Sequence, residues 1–184
     1  MTSEAPLGPV IADTSAGIVA IIGRANVGKS TLLNTVVEEK VAIVSPVAQT
    51  TRNMIRAILT EPRGQLVFLD TPGVHKAQTD LNKLMNRMAR SALDGADVVL
   101  LVLDAATRPR DEDEGWMRRL VKLGCEPLIV FNKCDLSVEH IPAYEAIWHD
   151  ICTQKQVPET AEKLKVSAAT ADGVPELLAH LFQR

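Results

Sequence analysis

Residues 18–30 read I-V-A-I-I-G-R-A-N-V-G-K-S. The apolar run at 18–22 suits a strand buried on both faces. It leads straight into residues 23–30, which carry the G-x-x-x-x-G-K-[ST] spacing of a phosphate-binding loop. Its glycines permit a tight turn in which successive backbone N–H groups face one anion. Lys29 can reach the β- and γ-phosphates, and the Ser30 hydroxyl can ligate Mg²⁺. The helix opening at Lys29 aims its positive dipole end at the same place. Gly23, Asn26, Val27, Gly28, Lys29, Ser30 and Thr31 are the candidate nucleotide contacts of this loop.

Outward from the loop, short apolar runs recur at 54–60, 65–70, 98–103, 128–131 and 164–166. Helical patterns fall between them at 29–38, 81–93, 111–123, 142–153 and 174–182, with Gly124 placed as a C-cap and Asp172 as an N-cap. Alternation of this kind predicts an α/β fold: a three-layer sandwich with a mostly parallel six-stranded sheet and helices on both faces. The turn Glu61-Pro62-Arg63-Gly64 interrupts the alternation, so one edge strand is expected to be antiparallel. Residues 1–16 carry two prolines and no periodicity and read as a flexible leader. Residues 17–184 read as one domain.

The next strand ends in Asp70-Thr71-Pro72-Gly73. A carboxylate at a strand's end beside a phosphate loop can make a second, water-mediated Mg²⁺ contact, and the Gly73 N–H can meet the γ-phosphate. Asn132-Lys133-Cys134-Asp135 follows another strand as an N-K-x-D motif. The Asp135 carboxylate can accept from guanine N1–H and the exocyclic amine together. Adenine has no such donor pair and would leave a buried Asp135 unmatched. Asn132 is expected at the base N7 edge or bracing the phosphate loop, with the Lys133 stem along the base face. Ser167-Ala168 is placed to close the base pocket, its N–H groups meeting guanine O6. Between the loop and D-T-P-G lies Gln49-Thr50-Thr51-Arg52, where Thr51, preferred over Thr50, would bind Mg²⁺ only while the γ-phosphate is present.

Composition narrows the alternatives. A formal net charge of −3 is not that of an obvious nucleic-acid binder. Three scattered cysteines, with no C-x-x-C pair, argue against a disulfide framework or zinc site and for reduced thiols in a cytoplasmic setting. No apolar stretch approaches the ~18 to 20 residues of a membrane span, and the N-terminus lacks the order of a signal peptide.

These motifs resemble those of translation-factor-class GTPases, and within them the Era family. The marks are V-x-x-x-x-Q-T-T-R at 44–52, D-T-P-G-V-H at 70–75 and the L-N-K-L-M that follows. The likeness covers residues 18–184. Der and MnmE relatives usually carry T-T-R-D, where this chain has Asn53, and family members usually have proline where it has Ala25. The resemblance implies binding of GTP and GDP with Mg²⁺, GTP hydrolysis, and a monomeric, cytoplasmic protein with peripheral membrane association open. Era proteins bind the 3′ end of small-subunit ribosomal RNA through a C-terminal KH domain. No KH-type G-x-x-G loop follows the last helix pattern here, so the KH domain is expected to be absent and ribosomal partners are implied for a parent protein only.

Ras-like GTPases orient the attacking water with a glutamine just after D-x-x-G; here Val74 stands there. Slow intrinsic hydrolysis is expected. Some relatives with a hydrophobic residue at this place use K⁺, held partly by a phosphate-loop asparagine, and Asn26 occupies that position. K⁺ coordination and simple loop shaping both remain open for Asn26. Catalytic candidates are thus Asn26, Lys29, Thr51 and Gly73; metal candidates are Ser30, Thr51 and Asp70. The run Asp111 to Glu114 suits a helix dipole without a partner, Cys134 reads as a space-filler, and Trp116 and Trp148 read as packing or half-exposed helix residues. A nucleotide-gated partner-binding module of an Era, Der or MnmE type is the competing reading, and N-K-C-D opposes a P-loop kinase.

Overall fold

The apolar runs form the six strands of one sheet in a computed structural model, which describes residues 15–37, 55–70, 93 and 95–184. The strands are β1 (Ser15–Ile22), β2 (Ile55–Glu61), β3 (Gly64–Asp70), β4 (Val98–Asp104), β5 (Leu128–Asn132) and β6 (Lys163–Lys165). They lie in the order β2-β3-β1-β4-β5-β6. Only β2 runs antiparallel to its neighbour, as the Pro62-Arg63 turn requires. Helices α1 (Lys29–Val37), α2 (Asp111–Leu123), α3 (Ile141–Lys155) and α4 (Val174–Leu181) complete the described elements.

The continuous hydrophobic runs resolve into two cores by residue parity, because successive strand side chains point to opposite faces. Val19, Ile21, Leu100, Val102, Leu128 and Val130 pack with Leu32, Leu33 and Val36 of α1 and with Leu177 and Leu181 of α4. Ala20, Ile22, Leu101, Leu103, Ile129 and Phe131 pack with Trp116, Met117 and Leu120 of α2 and with Tyr144, Trp148 and Ile151 of α3. Each fully buried branched side chain contributes about 1.5–3 kcal/mol, so both helical layers are held chiefly by this burial. Trp116 and Trp148 are buried packing residues, the first of the two roles open to them.

Helix ends differ in one respect from the sequence reading. Gly124 caps α2 in a left-handed conformation, its N–H donating to the Leu120 and Val121 carbonyls. Asp172 does not cap α4. That place falls to Gly173 (φ 73), where a Cβ would overlap the Lys165 carbonyl. The Asp172 carboxylate instead accepts the Thr170 hydroxyl at 2.7 Å, and its carbonyl accepts the Ser167 N–H at 2.8 Å. Ser15 and Ala16, read with the leader, are the first residues of β1. Most of the helix expected at 81–93 lies outside the described residues. Among the described residues, no helix is long and apolar enough to cross a membrane.

Candidate functional site

The parallel strands deliver their motifs to one edge. Ile22 ends β1 and hands the chain to the phosphate loop. Asp70 ends β3 opposite Ile21, and Asp104 and Asn132 end β4 and β5 directly opposite each other. The carboxyl edge of a parallel sheet is where open α/β folds place ligands.

The loop's backbone is held in an unusual shape. Gly23, Asn26 and Gly28 have φ of 147, 63 and 97. At Gly28 a Cβ would overlap the Asn132 carboxamide. Asn26 is exposed, Val27 is buried, and Gly28, Ser30 and Thr31 are half-buried. The Lys29 ammonium is buried and donates to the carbonyls of Gly23 (3.0 Å) and Arg24 (2.8 Å). Leu32 N–H to Gly28 O (2.8 Å) starts α1, leaving the turn ahead of it at the positive end of the helix.

Asn132 joins three motifs. Its amide donates to Val27 O at 2.8 Å, and its oxygen accepts the Ala168 N–H at 2.9 Å. Of its two expected roles, the brace on the phosphate loop is the one the geometry displays. The Ala168 N–H is thereby engaged, and the Ser167 N–H goes to Asp172 O, so the expected contact of these groups with guanine O6 is not preformed. Thr35 of α1 fixes the same corner by donating to Ala168 O at 2.7 Å. Lys133 (φ 65) reaches across to Asn26 O at 2.7 Å. Asp135 is exposed at the rim rather than buried, so a base docking there would supply its burial.

A buried polar chain lies beneath these motifs, and its members went unnoticed in the sequence. Arg24, one of the loop's variable positions, donates through Nε to Asp113 (3.0 Å) and through Nη2 to the Thr107 hydroxyl (2.6 Å). Asp113 also accepts the Arg110 N–H (3.0 Å) and the Tyr144 hydroxyl (3.4 Å). Asp113 is fully buried, so the acidic run does need a partner at its third position. Burial pushes the Asp113 carboxyl above its ordinary value, with Arg24 drawing it back. Burial alone would lower Arg24, and Asp113 and Tyr144 together outweigh it, so the guanidinium stands raised. Burial and the neighbouring Asp113 push the Tyr144 phenol up to about 12. Asp104 adds a second anion, 2.7 Å from Lys133 Nζ and 3.8 Å from Arg24 Nη2. The available signal was its place at the end of V-V-L-L-V-L-D, the same strand-end position as Asp70.

The donor set fits a phosphate chain with a hard cation. A buried ammonium resting on loop carbonyls at a helix N-terminus is chemistry for an anion. Among the described residues, no group of three or more His, Cys, Asp and Glu could cage a metal. A hard cation that takes the Ser30 hydroxyl, phosphate oxygens and water among its ligands fits the habit of Mg²⁺. Thr51, Gly73 and Val74 lie outside the described residues. The thiols of Cys125, Cys134 and Cys152 are unpaired, and burial raises all three above their ordinary value. The Cys134 thiol also donates to the Phe131 carbonyl at 3.2 Å, which accords with its reading as a space-filler.

A family profile described as "50S ribosome-binding GTPase" matches residues 18–133. The GTPase Era of Crocosphaera subtropica is 38% identical over 169 residues, which cover 91% of this chain and 52% of that protein. A crystal structure of Era in complex with MgGDPNP and nucleotides 1506–1542 of 16S ribosomal RNA matches with a TM-score of 0.76 at 34% identity, covering 92% of this chain and 57% of that one. A variant of Aquifex aeolicus Era bound to GDP.AlF4- matches with a TM-score of 0.75 at 34% identity, covering 91% and 56%. The chain spans about half the length of the curated relatives it matches. Motif spacing, strand order and these matches converge: the chain belongs to the 50S ribosome-binding GTPase family, and its relatives include Era proteins.

Proposed function

We propose that this chain is a guanine-nucleotide switch that binds GTP and GDP with Mg²⁺ and hydrolyses GTP slowly. The observation that carries the reading is Asn132, whose one carboxamide bonds the phosphate loop and the Ser167-Ala168 turn while opening the N-K-x-D motif. Base and phosphate subsites are thereby parts of one construction. Asp135 would accept from the guanine edge, and Lys133 would cover the base face. Lys29 would exchange its carbonyl partners for phosphate oxygens. Ser30, Thr51 and Asp70 would hold Mg²⁺, which when bound neutralises phosphate charge. The Gly73 N–H would meet the γ-phosphate. Catalysis of phosphoryl transfer is mostly positioning and electrostatics, and Val74 can neither donate to nor accept from a water. Turnover is therefore expected far below the ~1–100 s⁻¹ of kinases.

Asn26 supports two roles. Its left-handed conformation and the Lys133 contact support loop shaping, while its exposed side chain suits a K⁺ ion beside the phosphates. Turnover in K⁺ against Na⁺ separates them, and equal rates would remove the K⁺ role. For the whole protein, the Era–16S RNA complex supports contact with small-subunit ribosomal RNA, and the Era likeness implies a role in small-subunit assembly through a KH domain. Val74 favours the second reading, a timer whose GTP state recruits a partner. Single-turnover hydrolysis with and without ribosomal subunits tells the two apart. We read the chain as a cytoplasmic monomer, a compartment its three unpaired thiols support.

Competition of fluorescent GDP with ATP and GTP tests the central reading. GTP is expected to displace it and ATP to fail. Displacement by ATP at equal concentration would overturn guanine selectivity.

A further inference from the structure

We propose that Asp104 is a positioning residue for the nucleotide site, holding Lys133 on the phosphate loop so that the base-reading turn and the loop keep one another in shape. The inference rests on the guanine-nucleotide reading above and names a residue outside its motifs. Asp104 is 3% exposed. Its Oδ1 accepts the Ala106 N–H at 3.1 Å, which secures the turn after β4. Its Oδ2 faces two cations, Lys133 Nζ at 2.7 Å and Arg24 Nη2 at 3.8 Å. The same Lys133 ammonium donates to Asn26 O at 2.7 Å.

The two residues that this ammonium connects, Asn26 and Lys133, both hold left-handed backbone at φ 63 and 65. Asparagine takes that conformation readily, but for a lysine it costs about 1–2 kcal/mol and persists when the surroundings over-determine it. A lysine is a long, rotamer-rich side chain, and ordering it costs conformational entropy. A buried carboxylate at charge-assisted distance supplies the fixed end that a carbonyl alone would not. With Lys133 anchored before a ligand arrives, less ordering remains for binding to accomplish. Arg24 faces Asp104 from the loop side with Nη2, which donates to Thr107, while its Nε donates to Asp113.

The substitution Asp104→Asn keeps an acceptor for Ala106 and removes the charge. Made alone, with Lys133→Met alone, and as the double variant, it forms a thermodynamic cycle. Two readouts are taken: amide hydrogen exchange at residues 26–30 without nucleotide, and the release rate of fluorescent GDP. Asp104→Asn is expected to speed GDP release roughly 10-fold, as for a lost hydrogen bond to a charged group, and to accelerate exchange at 26–30. On the Lys133→Met background it should change neither. Equal effects on both backgrounds, or none on either, would overturn the proposal. Should Asp104→Asn not fold, Lys133→Met alone decides, because unchanged exchange at 26–30 would also overturn it. A wild-type chain that fails to bind GDP sinks the guanine reading, while the exchange cycle still judges Asp104.

Discussion

Replacing Arg24 by methionine removes a cation from under the phosphate loop while keeping much of its apolar stem. Asp113, fully buried, then loses the Nε donor at 3.0 Å. It keeps the Arg110 N–H and the more distant Tyr144 hydroxyl on Oδ2, while Oδ1 has no partner. Thr107 also loses its 2.6 Å donor. Breaking a buried pair from one side costs about 3–5 kcal/mol. For a chain of this size, each kcal/mol lowers Tm by roughly 2–4 °C, so a fall of about 6–20 °C is expected in a thermal melt. Arg24→Met with Asp113→Leu should recover most of this, because no charge is left stranded; the lost Arg110 contact leaves it about 1 kcal/mol short. The pH dependence has a definite sign. Desolvation already raises the Asp113 pKa, and removing Arg24 takes away the charge that opposes the rise. A carboxyl whose folded pKa exceeds its unfolded value takes up protons on folding, so its stability contribution is full at acid pH and is lost as pH rises through the folded pKa. The gap between variant and wild type should therefore be widest near neutral pH and close as pH falls through that raised pKa. A single-variant cost below about 1 kcal/mol, or a gap constant with pH, would refute a stranded Asp113 charge.

Gly28→Ala should weaken GDP binding about 100-fold in a titration, because the new Cβ displaces the Asn132 amide from Val27 and strains φ 97. Gly173→Ala combines φ 73 with a clash on the Lys165 carbonyl and should lower urea-denaturation stability by about 2–3 kcal/mol. Leu120→Ala, fully buried in the core between the sheet and α2 and α3, should cost about 2–5 kcal/mol in the same assay. Its GDP affinity should stay within about twofold of wild type, because that core lies away from the loop.

Much of the fold was legible because its driving forces are local. The runs at 98–103 and 128–131 announce strands buried on both faces, and parity then divides each between two cores. The phosphate loop and N-K-x-D were legible because their chemistry requires particular residues at short spacing. What escaped was long-range pairing. Arg24 and Asp113 meet across 89 positions, and nothing near either announces the other. Inside D-E-D-E, Asp113 looks like its neighbours, and only the helix rotation that buries the third acid distinguishes it. Asp172 was misplaced as a cap because a glycine that must take positive φ already fills that position. The expected O6 contact failed to appear preformed because the Ala168 N–H, with one hydrogen, is already given to Asn132.

The overlap between residues 28 and 132 bears on how such a chain can change over time. Any side chain at 28 requires the carboxamide at 132 to vacate its place, and any bulkier group at 132 would meet the loop at 28. A side chain at 28 is thus open only to a chain whose residue 132 has already shrunk or turned away, whereas 132 can shrink with Gly28 in place. Two signatures that look like separate inheritances, more than a hundred positions apart, would then drift in a fixed order, a change at 132 coming before any at 28.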